Sequence, residues 1–308
     1  MKIPLERTIG DTYKFVFSNI LSIFGIAWLP AVIMVALIAG AVFALLPDFS
    51  AMDWSATPDV AHNQAILAGI GFKVIGLVFP IEFLIYLLFA MVQVGLLRKA
   101  LGLIAGLVFV YFSLSSAVWR LFGGMIAAFV LFVIGGCLTF TAVSVVYWLG
   151  QHYAFPGIYG LVEFFATIAA ICWFFYMGVR LFFFIPPAVV AEGGFGIARS
   201  WQLGAGNFWR TVVIILAAVA GPMIVISTIS QIVFMPFFGS AMLQIQHAAA
   251  DNQQLSPQQI WAIFGPALRI VIPIYIGLQI VTMPIVFGLS AAVSAFAYRN
   301  LTLPESAV

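Results

Sequence analysis

Long apolar runs separated by short polar stretches make up most of the chain from residue 20 onward. A helix needs about 20 apolar residues to cross the hydrocarbon of a bilayer. Six runs reach that length: 20–46, 74–97, 121–149, 157–185, 211–234 and 266–298. The last contains Pro273 and Pro284, which predict a kink or an extension beyond the bilayer. A seventh run, 101–114, is too short to span and predicts an interfacial or re-entrant segment. The pattern predicts an all-α membrane protein with one transmembrane domain over residues 1–308.

The polar stretches have their own order. In residues 9–20, IGDTYKFVFSNI, helical spacing puts Ile9, Tyr13, Val16, Phe17 and Ile20 on one face. Arg7, Asp11, Lys14 and Ser18 fall on the opposite face. This predicts a short amphipathic helix lying in the membrane interface. Residues 197–208, IARSWQLGAGNF, align with it: Ile9 with Ile197, Thr12 with Ser200, Tyr13 with Trp201, Asn19 with Asn207. A looser version, SLSSAVWRLF, leads into the third span with Trp119 and Arg120. The expected architecture is three transmembrane hairpins, each preceded by an elbow helix, with Asn19 and Asn207 capping the helices that follow. Before two of the return helices, Thr57-Pro58 and Ser256-Pro257 read as helix starts, and Gln259 completes a capping box for the second.

Composition enforces the membrane reading. Hydrophobic residues make up 64% and charged residues 7%, too few charges to cover a water-soluble surface. The opening residues Lys2, Glu6, Arg7, Asp11 and Lys14 run into an apolar stretch longer than the roughly 7–15-residue core of a cleavable signal, which predicts a retained first helix. Cys137 and Cys172 lie within apolar runs, where buried small hydrophobes are expected.

The net charge is only +2, but its distribution orients the chain. Lys2, Arg7, Lys14, Arg98, Lys99, Arg120, Arg180, Arg199, Arg210 and Arg299 fall on one side of the spans, and only Lys73 and Arg269 toward the other. Basic flanks stay cytoplasmic, so both termini are expected in the cytoplasm. No basic patch interleaved with aromatics points to nucleic acid.

Ionisable groups within the spans come next, because each costs about 2.5–3.5 kcal/mol at a helix centre and is functional by default. Glu82 lies ~13.5 Å along its helix from Lys73, on the opposite face. It is expected to be protonated and hydrogen-bonded within the bundle, or to serve as a proton or cation site. Pro80 loosens the backbone beside it. Glu163, ~9 Å into its span, is expected to join Lys73 and Arg269 in an ion cluster. Arg180, ~35 Å into the same span, is expected to reach the headgroups near the opposite edge. His62, His152 and His247, with Asp59 and Asp251, lack ligand pairs at helical or hairpin spacing, so no metal and no cofactor is implied. Metalloprotease, phosphate-loop and nucleophile-elbow motifs are absent, and Gly288, Ser290, Ala291, Ala292, Ser294 and Ala295 read as a close-packing helix face.

The stretch RLFFFIPPAVVAEGGFGIARSWQLGAGNFWR resembles bacterial multi-span proteins of the glycerophosphoryl diester phosphodiesterase membrane-domain family. The residues that carry the likeness are Arg180, Pro187, Ala188, Val190, Glu192, Gly193, Arg199, Ser200, Trp201, Leu203, Gly206, Asn207, Phe208, Trp209 and Arg210. The chain departs from the pattern at Gly204, where relatives often carry Thr. The resemblance implies a six-helix inner-membrane protein and no phosphodiesterase activity. That chemistry needs histidines and clustered carboxylates, which this chain does not supply. The expected function is a non-enzymatic scaffold or accessory factor for envelope lipids or a membrane protein partner. The alternative is a small-solute or proton-coupled transporter or channel using Glu82.

Overall fold

The computed structural model describes residues 2–50, 60–153, 156–250 and 257–302. Every regular element among them is helical. In order they are α1 (Leu5–Ser18), α2 (Ile20–Ser50), α3 (Val60–Ala100), α4 (Ser116–Tyr153), α5 (Pro156–Phe182), α6 (Ile185–Glu192), α7 (Ile197–Gly204) and α8 (Phe208–Ile215). A π-helical turn, Leu216–Ala220, joins α8 to α9 (Gly221–Ala250), and α10 (Pro257–Thr302) follows. Among the described residues six helical stretches are long and apolar enough to cross a membrane. They pair in chain order, α2 with α3, α4 with α5 and α9 with α10, and α10 also packs on α1, α2 and α3. The helices extend past the predicted spans. α3 has 41 residues and α10 has 46, with Pro266, Pro273 and Pro284 inside the latter. α10 begins at Pro257, as the proline predicts. Thr57, Pro58 and Ser256 lie outside the described residues.

The packed core sits at one end, the terminal face, where α1 docks on the last turns of α10. Its buried residues come from the final turns of α3 (Met91, Val92, Leu96), the first turns of α4 (Val118, Leu121) and the end of α10 (Ala292, Ala295, Ala297). Toward the far end α3, α4, α5 and α9 expose Phe72, Phe79, Phe140, Phe164 and Met235. Lipid chains solvate apolar side chains as well as another helix does, so apolarity alone does not draw the far halves together. Small residues and hydrogen bonds hold the near halves. A Cβ at Gly288 would stand 3.0 Å from Ile23, which shows how closely α10 approaches α2.

Two elbows are present, and they match in detail. Asn19, directly after α1, and Asn207, three residues after α7 and directly before α8, have nearly the same backbone, φ −118°, ψ 19° and φ −115°, ψ 6°. Each turns its amide back four residues, Asn19 to the Phe15 carbonyl at 3.0 Å and Asn207 to the Leu203 carbonyl at 3.4 Å. The asparagines therefore close the elbows; their side chains do not cap the following helices as expected. The amphipathic face of α1 also differs from expectation. Thr8, Thr12, Phe15 and Val16 are buried, while Phe17 faces outward. The threonine hydroxyls can be buried because each bonds its own helix, Thr8 to the Pro4 carbonyl and Thr12 to the Thr8 carbonyl, both at 2.7 Å.

The middle hairpin has no separate elbow helix. Ser116 to Arg120 form the first turns of α4, and residues 101–115 form an irregular loop. The loop folds back against α2 and the end of α3. The Val108 amide donates to Ser22 Oγ at 3.4 Å, and Trp28 Nε1 donates to the Phe109 carbonyl at 2.9 Å. Gly25, one turn from both Ser22 and Trp28, leaves room for the Val108 carbonyl, which a Cβ there would overlap. Irregular backbone survives at membrane depth only when protein supplies such partners.

Candidate functional site

The turn between α5 and α8 is built around a helix break. Pro186 and Pro187 lack amide hydrogens, so the helical ladder cannot continue from α5 into α6. Ser200 repairs the break: its hydroxyl donates to the Arg180 carbonyl at 2.8 Å and accepts from the Phe184 amide at 3.2 Å. The Arg180 side chain, expected at the headgroups, is 9% exposed and bonded within the fold. It donates to Tyr176 Oη at 2.5 Å and to the Trp201 carbonyl at 2.6 Å, with its guanidinium 3.8 Å from the Trp201 ring centroid. Gly204 makes room for it, since a Cβ there would lie 3.3 Å from Arg180 Cγ.

The remaining motif residues continue this lattice. Glu192 accepts from Arg199 Nε at 2.8 Å and from Tyr298 Oη at 2.6 Å, tying α6 to α7 and α10. Arg120 donates to the Gly193 carbonyl at 2.6 Å, at a left-handed position (φ 78°) that favours glycine. Asn207 Oδ1 accepts from the Ile3 amide at 3.1 Å, and Arg210 donates to the Ile3 carbonyl at 2.6 Å. Trp209 is exposed. Pro222 lacks the amide hydrogen of an ordinary helical turn, and the π turn just before it leaves the Ala217 carbonyl to accept from Tyr13 Oη at 2.8 Å. All these contacts are internal to the fold, so the lattice is a clamp that fixes the near ends of the helices.

Beyond the clamp lies a cavity of about 990 Å³ between α3, α4, α5 and α10, with Pro186 of α6 and Ile215 of α8 also on its lining. Phenylalanines dominate its wall, among them Phe89, Phe122, Phe132 and Phe182, and Phe79, Phe129 and Phe175 on its lining are themselves exposed. The polar side-chain groups on the lining belong to Glu82, Tyr86, Gln93, Ser290 and Ser294. Glu82 is exposed and makes no hydrogen bond or ion pair, so the expected bond within the bundle is not formed. Gln93 is 5% exposed and its amide also lacks a protein partner. Ser290 and Ser294 face the cavity, whereas Ala291, Ala292 and Ala295 pack in the core. The predicted small-residue face thus divides between two jobs.

Comparison with protein-family models, with curated proteins and with solved structures gave no match. The site is therefore read from its own chemistry.

The other predicted residues do not assemble into a site. Glu163 and Arg269 make no ion pair or hydrogen bond: α5 packs on α4, α6, α7 and α8, whereas Lys73 and Arg269 lie on the paired helices α3 and α10. Both Lys73 and Arg269 are exposed. Cys137 and Cys172 are free and exposed, correcting the expected burial: they lie on faces of α4 and α5 that no neighbouring helix covers. His152 bonds the Trp148 carbonyl of its own helix at 2.8 Å. Asp59, Asp251 and the side chain of His62 lie outside the described residues, and among the described ones no three metal-ligating side chains gather. The sequence reading missed Gln93 and the phenylalanine wall. Gln93 is the one amide in the last four turns of α3, and that polar break in an apolar run was the available signal.

Proposed function

We propose that this chain is a non-enzymatic accessory protein of the bacterial inner membrane, with both termini cytoplasmic, that holds a membrane lipid between its helices. The cavity carries this reading. Its volume and its largely aromatic wall with few polar groups suit a ligand made mostly of hydrocarbon. The exposed phenylalanines on its lining give such a ligand a lateral way in from the bilayer. The gathering of basic residues toward the terminal face supports the orientation. The likeness of residues 180–210 to the membrane-domain family supports a bacterial multi-span protein whose motif is a structural clamp.

Native mass spectrometry of gently extracted protein tests the reading. A stoichiometric lipid that Met125→Trp displaces from the cavity supports it. Bare protein, or a lipid indifferent to that substitution, counts against it. One observation favours a second reading, proton-coupled transport: Glu82 stands on the cavity wall without a protein partner.

A further inference from the structure

We propose that the end of the cavity nearest the terminal face recognises the uncharged, oxygen-bearing end of a neutral lipid, a hydroxyl or ester on an apolar chain, through Gln93, Ser290 and Ser294. This rests on the lipid-holding reading above and supplies its ligand class.

Gln93 is the principal observation. Its side chain is buried at 5% exposure, lines the cavity and makes no hydrogen bond to the protein. A primary amide offers two donors and an acceptor, and one that opens on a largely apolar cavity without a protein partner calls for a group there that can both accept and donate. Ser290 and Ser294, one turn apart on α10, line the same cavity. The Ser290 hydroxyl makes no hydrogen bond, while Ser294 donates to the Ala291 carbonyl at 3.1 Å and keeps its acceptor sites. These groups match an alcohol or an ester.

Charge then selects among lipids. The one charged side chain on the described lining is Glu82, eleven residues and ~16.5 Å farther along α3. Among the described residues no lysine or arginine lines the cavity. Three arginines of the terminal half are committed elsewhere: Arg180 to Tyr176 and Trp201, Arg120 to Gly193, and Arg98 to Tyr111. A phosphate group would enter an apolar space without a counter-cation, which burial penalises heavily. An uncharged headgroup carries no such penalty.

The test uses the full-length protein, stripped of lipid in detergent and titrated under native mass spectrometry with three probes. Dioleoylglycerol supplies a hydroxyl and esters, squalene is hydrocarbon alone, and dioleoyl phosphatidylglycerol carries an anionic phosphate. Dioleoylglycerol is expected to bind best. Gln93→Met should weaken it about tenfold and Ser290→Ala about threefold, consistent with loss of single hydrogen bonds. Squalene binding should stay unchanged, which also shows that each variant is folded. Equal dioleoylglycerol binding by wild type and both variants overturns the proposal, and if Met125→Trp still blocks that binding the lipid-holding reading survives alone. Binding of all three probes that ignores Met125→Trp overturns both. Preferential, Gln93-dependent binding of phosphatidylglycerol overturns the neutral class.

Discussion

Ser200 of α7 reaches across to the Arg180 carbonyl at the end of α5, 2.8 Å away, and with the same hydroxyl receives the Phe184 amide at 3.2 Å. A continuous helix would have joined those two backbone groups directly. The inserted hydroxyl lets the chain turn out of the span without orphaning either group, and Ser200 is fully buried. Ser200→Ala removes the bridge and leaves a buried donor and acceptor unmet, at a cost of roughly 1–3 kcal/mol. Thermal unfolding in one detergent should show a lowered Tm, against little change for the exposed neighbour Gln202→Ala. Equal midpoints for the two variants would contradict the bridging role.

Arg180 is held by its shape as much as by its charge. Two separate nitrogens reach Tyr176 and the Trp201 carbonyl while the planar group stacks on Trp201. Lysine has one nitrogen and no plane. Arg180→Lys is expected to destabilise by about 2 kcal/mol, most of the effect of Arg180→Leu. A lysine variant as stable as wild type in urea titration would mean that charge alone suffices.

The seat of the 101–115 loop on α2 depends on the absence of a side chain at Gly25. Gly25→Ala puts a Cβ into the Val108 carbonyl, so the loop must move. In protein lacking Cys137 and Cys172, a cysteine introduced at Val108 should label several-fold faster when Gly25→Ala is also present. Unchanged labelling would show that α2 yields while the loop stays seated.

Orientation is tested on the elbow. Lys14 is exposed and Thr12 fully buried on the same helix, α1. With the native cysteines replaced, Lys14→Cys should react with a membrane-impermeant maleimide only after the cells are permeabilised, and Thr12→Cys should stay unreacted. Reaction of Lys14→Cys in intact spheroplasts would reverse the proposed topology.

Glu82 separates the two functional readings. It contributes no internal bond, so Glu82→Gln should leave stability within about 0.5 kcal/mol of wild type. Under the lipid-holding reading, reconstituted vesicles show no proton flux in either form. Flux in wild type that vanishes in Glu82→Gln would favour transport.

Particular residues show why some features were legible in the sequence. The Asn19 and Asn207 elbows could be read because local amphipathicity and a matching order of side chains need no partner to be recognised. Which face of α1 would be buried could not: Thr8 and Thr12 look polar in sequence, and only the docking of α10, with Asn300 donating to Thr8 Oγ1 at 3.0 Å, makes theirs the inner face. Arg180 looked like a snorkelling cation because its depth is fixed by residue count, whereas the Trp201 ring that captures it arrives from another helix. Glu163 suggested an ion cluster from depth alone, and helix pairing placed it on α5, away from the packed pair α3 and α10.

The sequence by itself determined six apolar helices, their pairing into hairpins and the elbows before the first and last of them. Each follows from runs, periods and charge balance within contiguous segments. Tertiary structure decided which polar groups form a clamp, that residues 101–115 fold back beside α2, and that phenylalanines from α3, α4 and α5 line a cavity containing Gln93 and Glu82. The physical reason is that lipid solvates all apolar faces alike. Hydropathy therefore reports that a helix lies in the membrane, while close packing and hydrogen bonds between distant segments decide which face meets protein, lipid or a cavity.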